Sequence, residues 1–457
     1  MMATSPPRLW DLIPVLLILF SLTPLPSAAA WPNTPFRTSG RWILDATGSN
    51  VTYAGVNWPA HGEVMIPEGL QYQSIPAIVA KIKSLGMNAV RLTYAIEMID
   101  EIYANREEDV TIGVALFNAL GRTNSTKVLH DIVRNNPGFS STTTRLQVFD
   151  AVVAECARQE IWVHLDNHVS KAGWCCHPFD GNSWWGDTYF NTKNWIRGLG
   201  YMAEHGKSWP NLVSMSLRNE LRQPLTKPEL YKTSYNWETW YSLSRLGADA
   251  IHNANPDPLI FLSGMDSSTN FTAVAQGLPL HPGTEVFNPA NFNGYADKLV
   301  LEMHTYEPAQ ECTAFENKLF DLGFQTLDSA GTGNALPLVM TEFGFLQANE
   351  THKNVYVTCL SRYLPAQRVG WMIWVLAGSY YVRELTHDYD ETWGLLSHDW
   401  SEWRSPEYIE GGLKPMVNAS LKVESVPKSC ASVMGVIEDA GPLSWVAMLV
   451  SVVAAIW

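Results

Sequence analysis

The sequence predicts an α/β fold in which eight parallel strands alternate with helices and close into a (β/α)8 barrel, the TIM-barrel architecture. Eight short runs rich in β-branched and other apolar residues recur along the chain. Between them lie stretches whose apolar residues are three and four positions apart, as on one face of a helix. Alternation of this kind is typical of a parallel sheet.

The spacing of these runs favours a closed barrel over an open sheet. An open doubly wound sheet would place a glycine-rich phosphate loop after the first strand, and residues 51–57 contain no such loop. Helices are expected at 75–85, 145–158, 237–253 and 353–364. The predicted strands span residues 51–58, 88–93, 161–166, 212–217, 259–263, 298–303, 338–341 and 370–375.

One connection is longer than the others. Residues 94–143 follow the second predicted strand and have the appearance of an insertion. Loops that follow barrel strands lie at the face where barrels carry their sites, so we expect this insertion over that face. No internal repeat or low-complexity linker interrupts the chain, and we expect a single catalytic domain over residues 31–425.

The amino-terminal end resembles a secretion signal. Arg8 precedes an apolar run over 12–20, and three alanines at 28–30 form a small-residue cleavage pattern. We therefore expect residues 1–30 to be a signal peptide and the protein to be secreted. Glycosylation acceptor motifs, which fit that route, occur at Asn50, Asn124, Asn270, Asn349 and Asn418.

The carboxyl-terminal end resembles a lipid-attachment signal. Residues 443–457 are uncharged and apolar, but they are fewer than the ~20 that a spanning helix needs. Small residues at 429–431 and a spacer over 432–441 precede them. Residues 426–457 therefore have the layout of a glycosylphosphatidylinositol (GPI) signal, which would attach the protein to the cell surface. A plain hydrophobic terminus and a short tail anchor are the alternatives.

The cysteines fit a secreted protein better than a zinc protein. Their spacing matches no zinc site, and secretion allows disulfides. Because Cys175 and Cys176 are adjacent, we expect each to pair elsewhere, and we expect Cys156, in a predicted helix, to be a buried thiol. Connectivity stays open among residues 156, 175, 176, 312, 359 and 430.

Net charge and aromatic content indicate which class of molecule the protein binds. The net charge of −14 repels nucleic acid and anionic lipid surfaces. The chain contains 19 Trp, 17 Tyr and 16 Phe, and Trp is well suited to stacking on the apolar faces of sugar rings. We expect a monomer that binds a polysaccharide or oligosaccharide.

Chemically reactive side chains follow several predicted strands, where they would meet at one mouth of the barrel. Each one alone has an ordinary packing explanation, but burying all of them together costs stability unless chemistry requires it. They include two carboxylates on opposite sides of the ring, with no metal-ligand spacing and no Gly-x-Ser-x-Gly elbow, which suggests glycosidic bond cleavage without metal or cofactor. The residues are Arg91, Asp166-Asn167-His168, Arg218-Asn219-Glu220, His304-Thr305-Tyr306, Glu342 and Trp374.

Two motifs carry a family resemblance. Leu217-Arg218-Asn219-Glu220 and Met340-Thr341-Glu342-Phe343-Gly344 resemble the motifs that close strands four and seven in glycoside hydrolase family 5, the cellulase family of clan A. The resemblance spans about residues 42–400 and is greatest to cellulase-like members from plants and fungi. It implies a retaining glycoside hydrolase of class EC 3.2.1.- that acts on a β-linked polysaccharide.

The resemblance also implies a role for each site residue. Glu220 matches the acid/base, Glu342 the nucleophile, and Asn219 the ligand of the sugar 2-hydroxyl. The family's Asp-x-His pattern selects His168, although His164, which lies within the predicted third strand, is an alternative. Further matches, which would orient the nucleophile or bind the sugar, are Arg91, Tyr306, His168, His304 and Trp374.

Other tryptophans are candidates for sugar stacking, and each is equally well explained by packing. They are Trp58, Trp174, Trp184, Trp185, Trp393 and Trp400. The two glutamates need different surroundings: Glu342 must be ionised, which Arg91 would favour, whereas Glu220 must hold a proton. Linkage preference and endo or exo action stay open. The alternatives are a cell-wall transglycosylase and a catalytically weak cell-surface carbohydrate-binding protein.

Overall fold

A computed structural model describes residues 31–328, 334–348 and 350–422. The predicted signal peptide, the predicted lipid-attachment signal and the glycosylation motif at Asn349 lie outside these residues. Among the helices of the described residues, none has both the length and the apolarity needed to cross a bilayer.

The predicted barrel is confirmed. Within the described residues, eight parallel strands close into a ring in which each pairs with the next along the chain and the last pairs with the first. Every predicted strand is found, with boundaries shifted by a few residues. In order, the strands are Ala54–Trp58, Ala89–Ala95, Trp162–Val169, Leu212–Ser216, Leu259–Ser263, Leu299–Thr305, Leu338–Phe343 and Gly370–Ile373.

The four helices expected from apolar periodicity are also present, as Ile75–Ser84, Arg145–Arg158, Trp237–Ala254 and Val355–Gln367. Each begins after a Ser, Thr or Asn side chain that accepts a hydrogen bond from the first turn, which satisfies backbone donors left free at a helix start.

The remaining helices also lie between barrel strands or after the last one, and they range from single turns to 24 residues. The α-helices are Ile96–Ala104, Ile112–Asn135, Thr192–His205, Pro228–Thr233, Met265–Ser268, Thr272–Ala275, Cys312–Leu322, Pro406–Tyr408 and Lys414–Leu421. Short 3₁₀ segments are Gly206–Ser208, Pro289–Asn291, Ala296–Lys298, Phe324–Leu327 and Thr351–Lys353, and Ile409–Leu413 is a π-helical turn.

A small antiparallel sheet closes the end of the barrel opposite the site. Its strands are Arg37–Ser39, Trp42–Leu44 and Asn50–Val51, so the first barrel strand starts later than predicted. Phe36 and Ile43 are buried against residues near the start of barrel strands, such as Val300 and Val339. This packing leaves only the opposite mouth of the barrel open for a site.

A second antiparallel pair, not predicted from the sequence, follows the last barrel strand. Ser379–Arg383 pairs with Thr386–Asp390. The second of these strands is polar and mostly exposed, so it lacks the apolar alternation by which strands are recognised. We call this pair the mouth hairpin, because Arg383 at its turn lines the cavity described below.

The cysteines differ from expectation at one point. Cys175 and Cys176 are bonded to each other, so the prediction that each pairs elsewhere is wrong. The peptide bond between them is cis and their Cα atoms are 3.0 Å apart, a backbone geometry that the expectation had not considered. Cys312 and Cys359 are bonded to each other. Cys156 is a buried free thiol, as predicted.

The bond between Cys312 and Cys359 joins two outer helices and closes a segment of 47 residues. The double variant C312A/C359A is expected to lose about 2 to 4 kcal/mol in free energy of unfolding, because the unfolded chain regains the freedom that the crosslink removes. Urea unfolding followed by fluorescence measures this. An unchanged midpoint would contradict it.

Candidate active site

A cavity of about 380 Å³ opens at the carboxyl ends of the barrel strands. Its walls bring together six of the eight residues to which the family resemblance gave a role, together with the candidate Trp174. The other two of the eight, Arg91 and His304, lie buried next to these residues. The cavity is lined by His168, Trp174, Cys175, Cys176, Asn219, Glu220, Tyr306, Glu342, Trp374, Arg383, Glu391 and Trp393.

The geometry begins at Arg91, which the second barrel strand buries completely. Its Nη1 donates to Glu342 Oε1 at 2.5 Å and to Asn57 Oδ1 at 2.8 Å. Its Nη2 donates to Asn219 Oδ1 at 2.8 Å and to Glu302 Oε1 at 2.8 Å. The guanidinium therefore holds the predicted nucleophile and the predicted sugar ligand in one rigid frame.

Glu302 is a member of this frame that the sequence analysis missed. It is fully buried on the sixth barrel strand, and its carboxylate accepts from Arg91, from Ser216 and from Thr341 Oγ1 at 2.8 Å. Burial opposes ionisation, but Arg91 and His304 hold the pKa of Glu302 well below its ordinary value. An acidic residue two positions before His304, on the same strand face, was the available signal.

Asp166 is the third carboxylate beside Arg91, with its Oδ1 3.1 Å from Nη2. Burial raises the pKa of Asp166 to about 6, and Arg91 opposes that rise. Its Oδ2 lies 2.6 Å from His168 Nδ1. Burial, and then the nearby Arg91, lower the pKa of His168 well below its ordinary value, so a neutral imidazole faces the cavity and donates to Asp166.

His164 and His168 occupy different positions in the barrel. His164 lies inside the barrel, where its two ring nitrogens bind Ser214 and Ser216. His168 lines the cavity and its ring is stacked with that of Trp374, with centroids 5.4 Å apart.

His304 lies between the two glutamates. Its Nδ1 is 3.1 Å from Glu220 Oε1 and 3.8 Å from Glu342 Oε2, and its Nε2 is 3.0 Å from Thr341 Oγ1. Burial alone would lower the pKa of His304, but the surrounding carboxylates raise it to about 10. The ring is therefore an imidazolium at neutral pH, and it donates to Glu220.

Glu342 is almost fully buried and accepts from Arg91 and, at 2.8 Å, from the Tyr306 hydroxyl. The expected contact with Arg91 is present, but the pKa of Glu342 lies above its ordinary value. Burial is the largest cause and the nearby Glu220 adds to it, while His304 and Arg91 oppose them. The positive charges of Arg91 and His304 favour the ionised form of Glu342, but they do not cancel the free-energy cost of burying that charge.

Single oxygens of Glu220 and Glu342 and a ring nitrogen of His304 all lie within 4.8 Å of one another. Three such groups can in principle hold a metal ion. In this site Arg91 and the His304 imidazolium already supply two positive charges to the carboxylates, which disfavours adding a divalent cation. The arrangement suits proton transfer and nucleophilic attack instead.

The aromatic candidates divide by position. Trp174, Trp374 and Trp393 line the cavity. The other four candidates, Trp58, Trp184, Trp185 and Trp400, are almost completely buried and serve packing. The guanidinium of Arg383 lies 3.4 Å above the ring of Trp174 and pairs with Glu391 at 2.8 Å. Arg383 and Glu391 were not predicted for the site because the mouth hairpin was not predicted.

The insertion at 94–143 contributes no residue to the cavity. It folds largely as the helices Ile96–Ala104 and Ile112–Asn135, the latter broken at Gly121. The loop after the third barrel strand and the mouth hairpin provide the walls that we had expected from it.

A second cavity, of about 470 Å³, shares Glu220 and Tyr306 with the first. Its other lining residues include Asp266, Asn270 and Lys318. The predicted acid/base residue thus borders open space in two cavities, which offers room for groups on both sides of a bond cleaved there.

Comparisons with known proteins show the family of this chain. The family model described as cellulase (glycosyl hydrolase family 5) matches residues 44–379. A glycosyl hydrolase 5 family protein from Chamaecyparis obtusa is 36% identical over 408 residues, which are 86% of this chain and 68% of that protein. An endoglucanase from Paenibacillus polymyxa is 22% identical, with 89% of this chain and 94% of that protein covered.

Solved structures show the same fold. The endocellulase of Pyrococcus horikoshii in complex with cellotetraose matches with a TM-score of 0.62 and 17% identity, covering 84% of this chain and 99% of that one. The catalytic domain of the major endoglucanase of Xanthomonas campestris matches with a TM-score of 0.57 and 18% identity, with the same coverage. The family model and the Chamaecyparis relative show that the chain belongs to glycoside hydrolase family 5.

Proposed function

We propose that this glycoside hydrolase cleaves a β-linked glucan within the chain by double displacement, with Glu342 as nucleophile and Glu220 as acid/base. One observation carries the proposal: one carboxylate oxygen of Glu220 and one of Glu342 lie within 4.8 Å of each other. Retaining enzymes hold their carboxyl groups about 5 to 5.5 Å apart, whereas inverting enzymes need about 6.5 to 9.5 Å to admit a water.

Contacts on each glutamate support the division of roles. Arg91 and Tyr306 both donate to Glu342, which favours a carboxylate whose oxygens are held in place for attack on the anomeric carbon. Glu220 is more exposed and borders both cavities, so it can reach the leaving oxygen and afterwards a water. In the first step Glu220 gives its proton to the leaving oxygen, and in the second it takes one from water.

Neighbouring residues have roles in binding the reacting sugar. Arg91 donates hydrogen bonds to both Glu342 and Asn219. The Asn219 amide therefore lies beside the anomeric carbon that Glu342 attacks, where it can bind the neighbouring 2-hydroxyl of the sugar. Trp374 presents an aromatic surface for the apolar face of the ring. His168 supports Trp374 from below through ring stacking.

The preference for β-glucan and for internal bonds rests on two supports. The relatives from Paenibacillus and Xanthomonas are named endoglucanases, and the Pyrococcus endocellulase is bound to cellotetraose. The second cavity beside Glu220 adds space that a chain extending past the cleaved bond would need.

We also propose that the enzyme is secreted and attached to the cell surface through a lipid anchor. The amino-terminal signal pattern and the small-residue, spacer and apolar-tail order of residues 426–457 support this. Phosphatidylinositol-specific phospholipase treatment of intact cells should release the enzyme. Peptides from residues 443–457 in the mature protein would contradict the anchor.

The roles of the two glutamates can be separated by substitution. Glu342→Gln should abolish turnover of every substrate, because no nucleophile remains. Glu220→Gln should lose activity on glucan but spare aryl glycosides whose leaving group needs little protonation. Steady-state kinetics on both substrate types measure the difference. Equal losses on both types by Glu220→Gln would contradict the assignment.

The rise of kcat/KM on the acidic side of its pH profile should report the ionisation of Glu342. Its pKa is raised, so kcat/KM should rise with pH through a midpoint above the ordinary 4.5 as the carboxylate ionises. His304→Gln removes a positive charge and should move this acidic limb to higher pH.

Profiles of kcat/KM on an activated aryl glycoside, recorded for the wild type and for His304→Gln, measure this shift. An acidic limb that stays in place or moves to lower pH would show that Glu342 does not set it.

A further inference from the structure

The disulfide between Cys175 and Cys176 lies in the wall of the active-site cavity. It follows Trp174 in the loop after the third barrel strand. The bond between Cys312 and Cys359, in contrast, joins two outer helices. Nothing in the proposed reaction so far uses the Cys175–Cys176 bond.

Both sulfur atoms face the side chain of Asn219. Its Nδ2 lies 3.6 Å from Cys175 Sγ and 3.7 Å from Cys176 Sγ. At the other end of the amide, Oδ1 accepts from Arg91 Nη2 at 2.8 Å. Because a guanidinium carries only donors, the amide oxygen must face Arg91 and the NH₂ group must face the sulfurs. The orientation of the amide is therefore set from both ends.

The sulfurs can orient this amide without consuming its hydrogen-bonding capacity. Sulfur is a weak acceptor, so the N–H groups of Asn219 stay available for a stronger acceptor such as a hydroxyl oxygen. In the proposed reaction that acceptor is the 2-hydroxyl of the reacting sugar, and hydrogen bonds to this hydroxyl strengthen in the transition state of glycoside hydrolysis. An amide free to rotate would make this contact less often.

We propose that the Cys175–Cys176 disulfide is a positioning element that holds the Asn219 amide toward the 2-hydroxyl of the reacting sugar. The substrates that benefit are β-glycosides with a free hydroxyl at C2. The inference rests on the proposed function, because it requires the reacting carbon to lie between Asn219 and Glu342.

A matched pair of substrates tests it: an aryl β-glucoside and its 2-deoxy analogue. The variant C175A/C176A should lose about tenfold in kcat/KM on the 2-hydroxy substrate and less than about twofold on the 2-deoxy substrate, since the latter lacks the group that Asn219 binds. Asn219→Ala should reduce the preference for the 2-hydroxy substrate further. In the C175A/C176A background, Asn219→Ala should lower kcat/KM on the 2-hydroxy substrate by a smaller factor than in the wild type, because both changes weaken the same contact.

The control is C312A/C359A, which removes a disulfide whose cysteines line neither cavity and should leave the ratio between the two substrates unchanged. If C175A/C176A does not fold, the ratio is measured on C312A/C359A before and after treatment with a phosphine reductant. In that variant Cys175–Cys176 is the one disulfide left among the described residues. Reduction should lower the ratio.

Equal losses on both substrates, or no loss on either, would overturn the inference while leaving the proposed function intact. Absence of turnover by the wild type on both the 2-hydroxy aryl glucoside and β-glucan would overturn the proposed function and this inference together.

Discussion

The buried guanidinium of Arg91 is the interaction on which the site depends. It binds five groups from five other barrel strands or their ends: Asn57, Asp166, Asn219, Glu302 and Glu342. A buried cation of this kind is stable only when its carboxylate and amide partners surround it, and removing one member of a buried charge pair typically costs about 3 to 5 kcal/mol. The same hydrogen bonds from Arg91 thus stabilise the barrel mouth and fix the positions of Asn219 and Glu342.

The frame around Arg91 gives the two glutamates different surroundings. Glu342 is buried against Arg91 and Tyr306, whereas Glu220 contacts the His304 imidazolium and borders two cavities. The raised pKa of Glu342 shows that burial outweighs the nearby cations in the free enzyme. A carboxylate that is costly to desolvate but held in position is suited to attack, since forming a bond to carbon removes its charge.

Much of the fold and site followed from the sequence because strand ends in a parallel barrel converge. Periodicity located the eight strands, and polar residues after them, such as Asn219 and Glu220, therefore met at one mouth. Glu302 was missed because it lies inside the sixth predicted strand, which was recognised by its apolar residues. Arg383 and Glu391 were missed because Arg383 lies at the turn of the mouth hairpin and Glu391 directly follows its second strand, which is polar and lacks apolar alternation. The Cys175–Cys176 bond was missed because adjacent cysteines were expected to pair elsewhere.

The proposed reaction requires Glu342 and Glu220 to act together in a double displacement. Nuclear magnetic resonance of the anomer first released from a β-glucan oligosaccharide, recorded before mutarotation, tests it most directly. Two inversions at one carbon restore its configuration, so the β anomer is expected to appear first. First appearance of the α anomer would show a single displacement by water and would contradict the roles given to both glutamates.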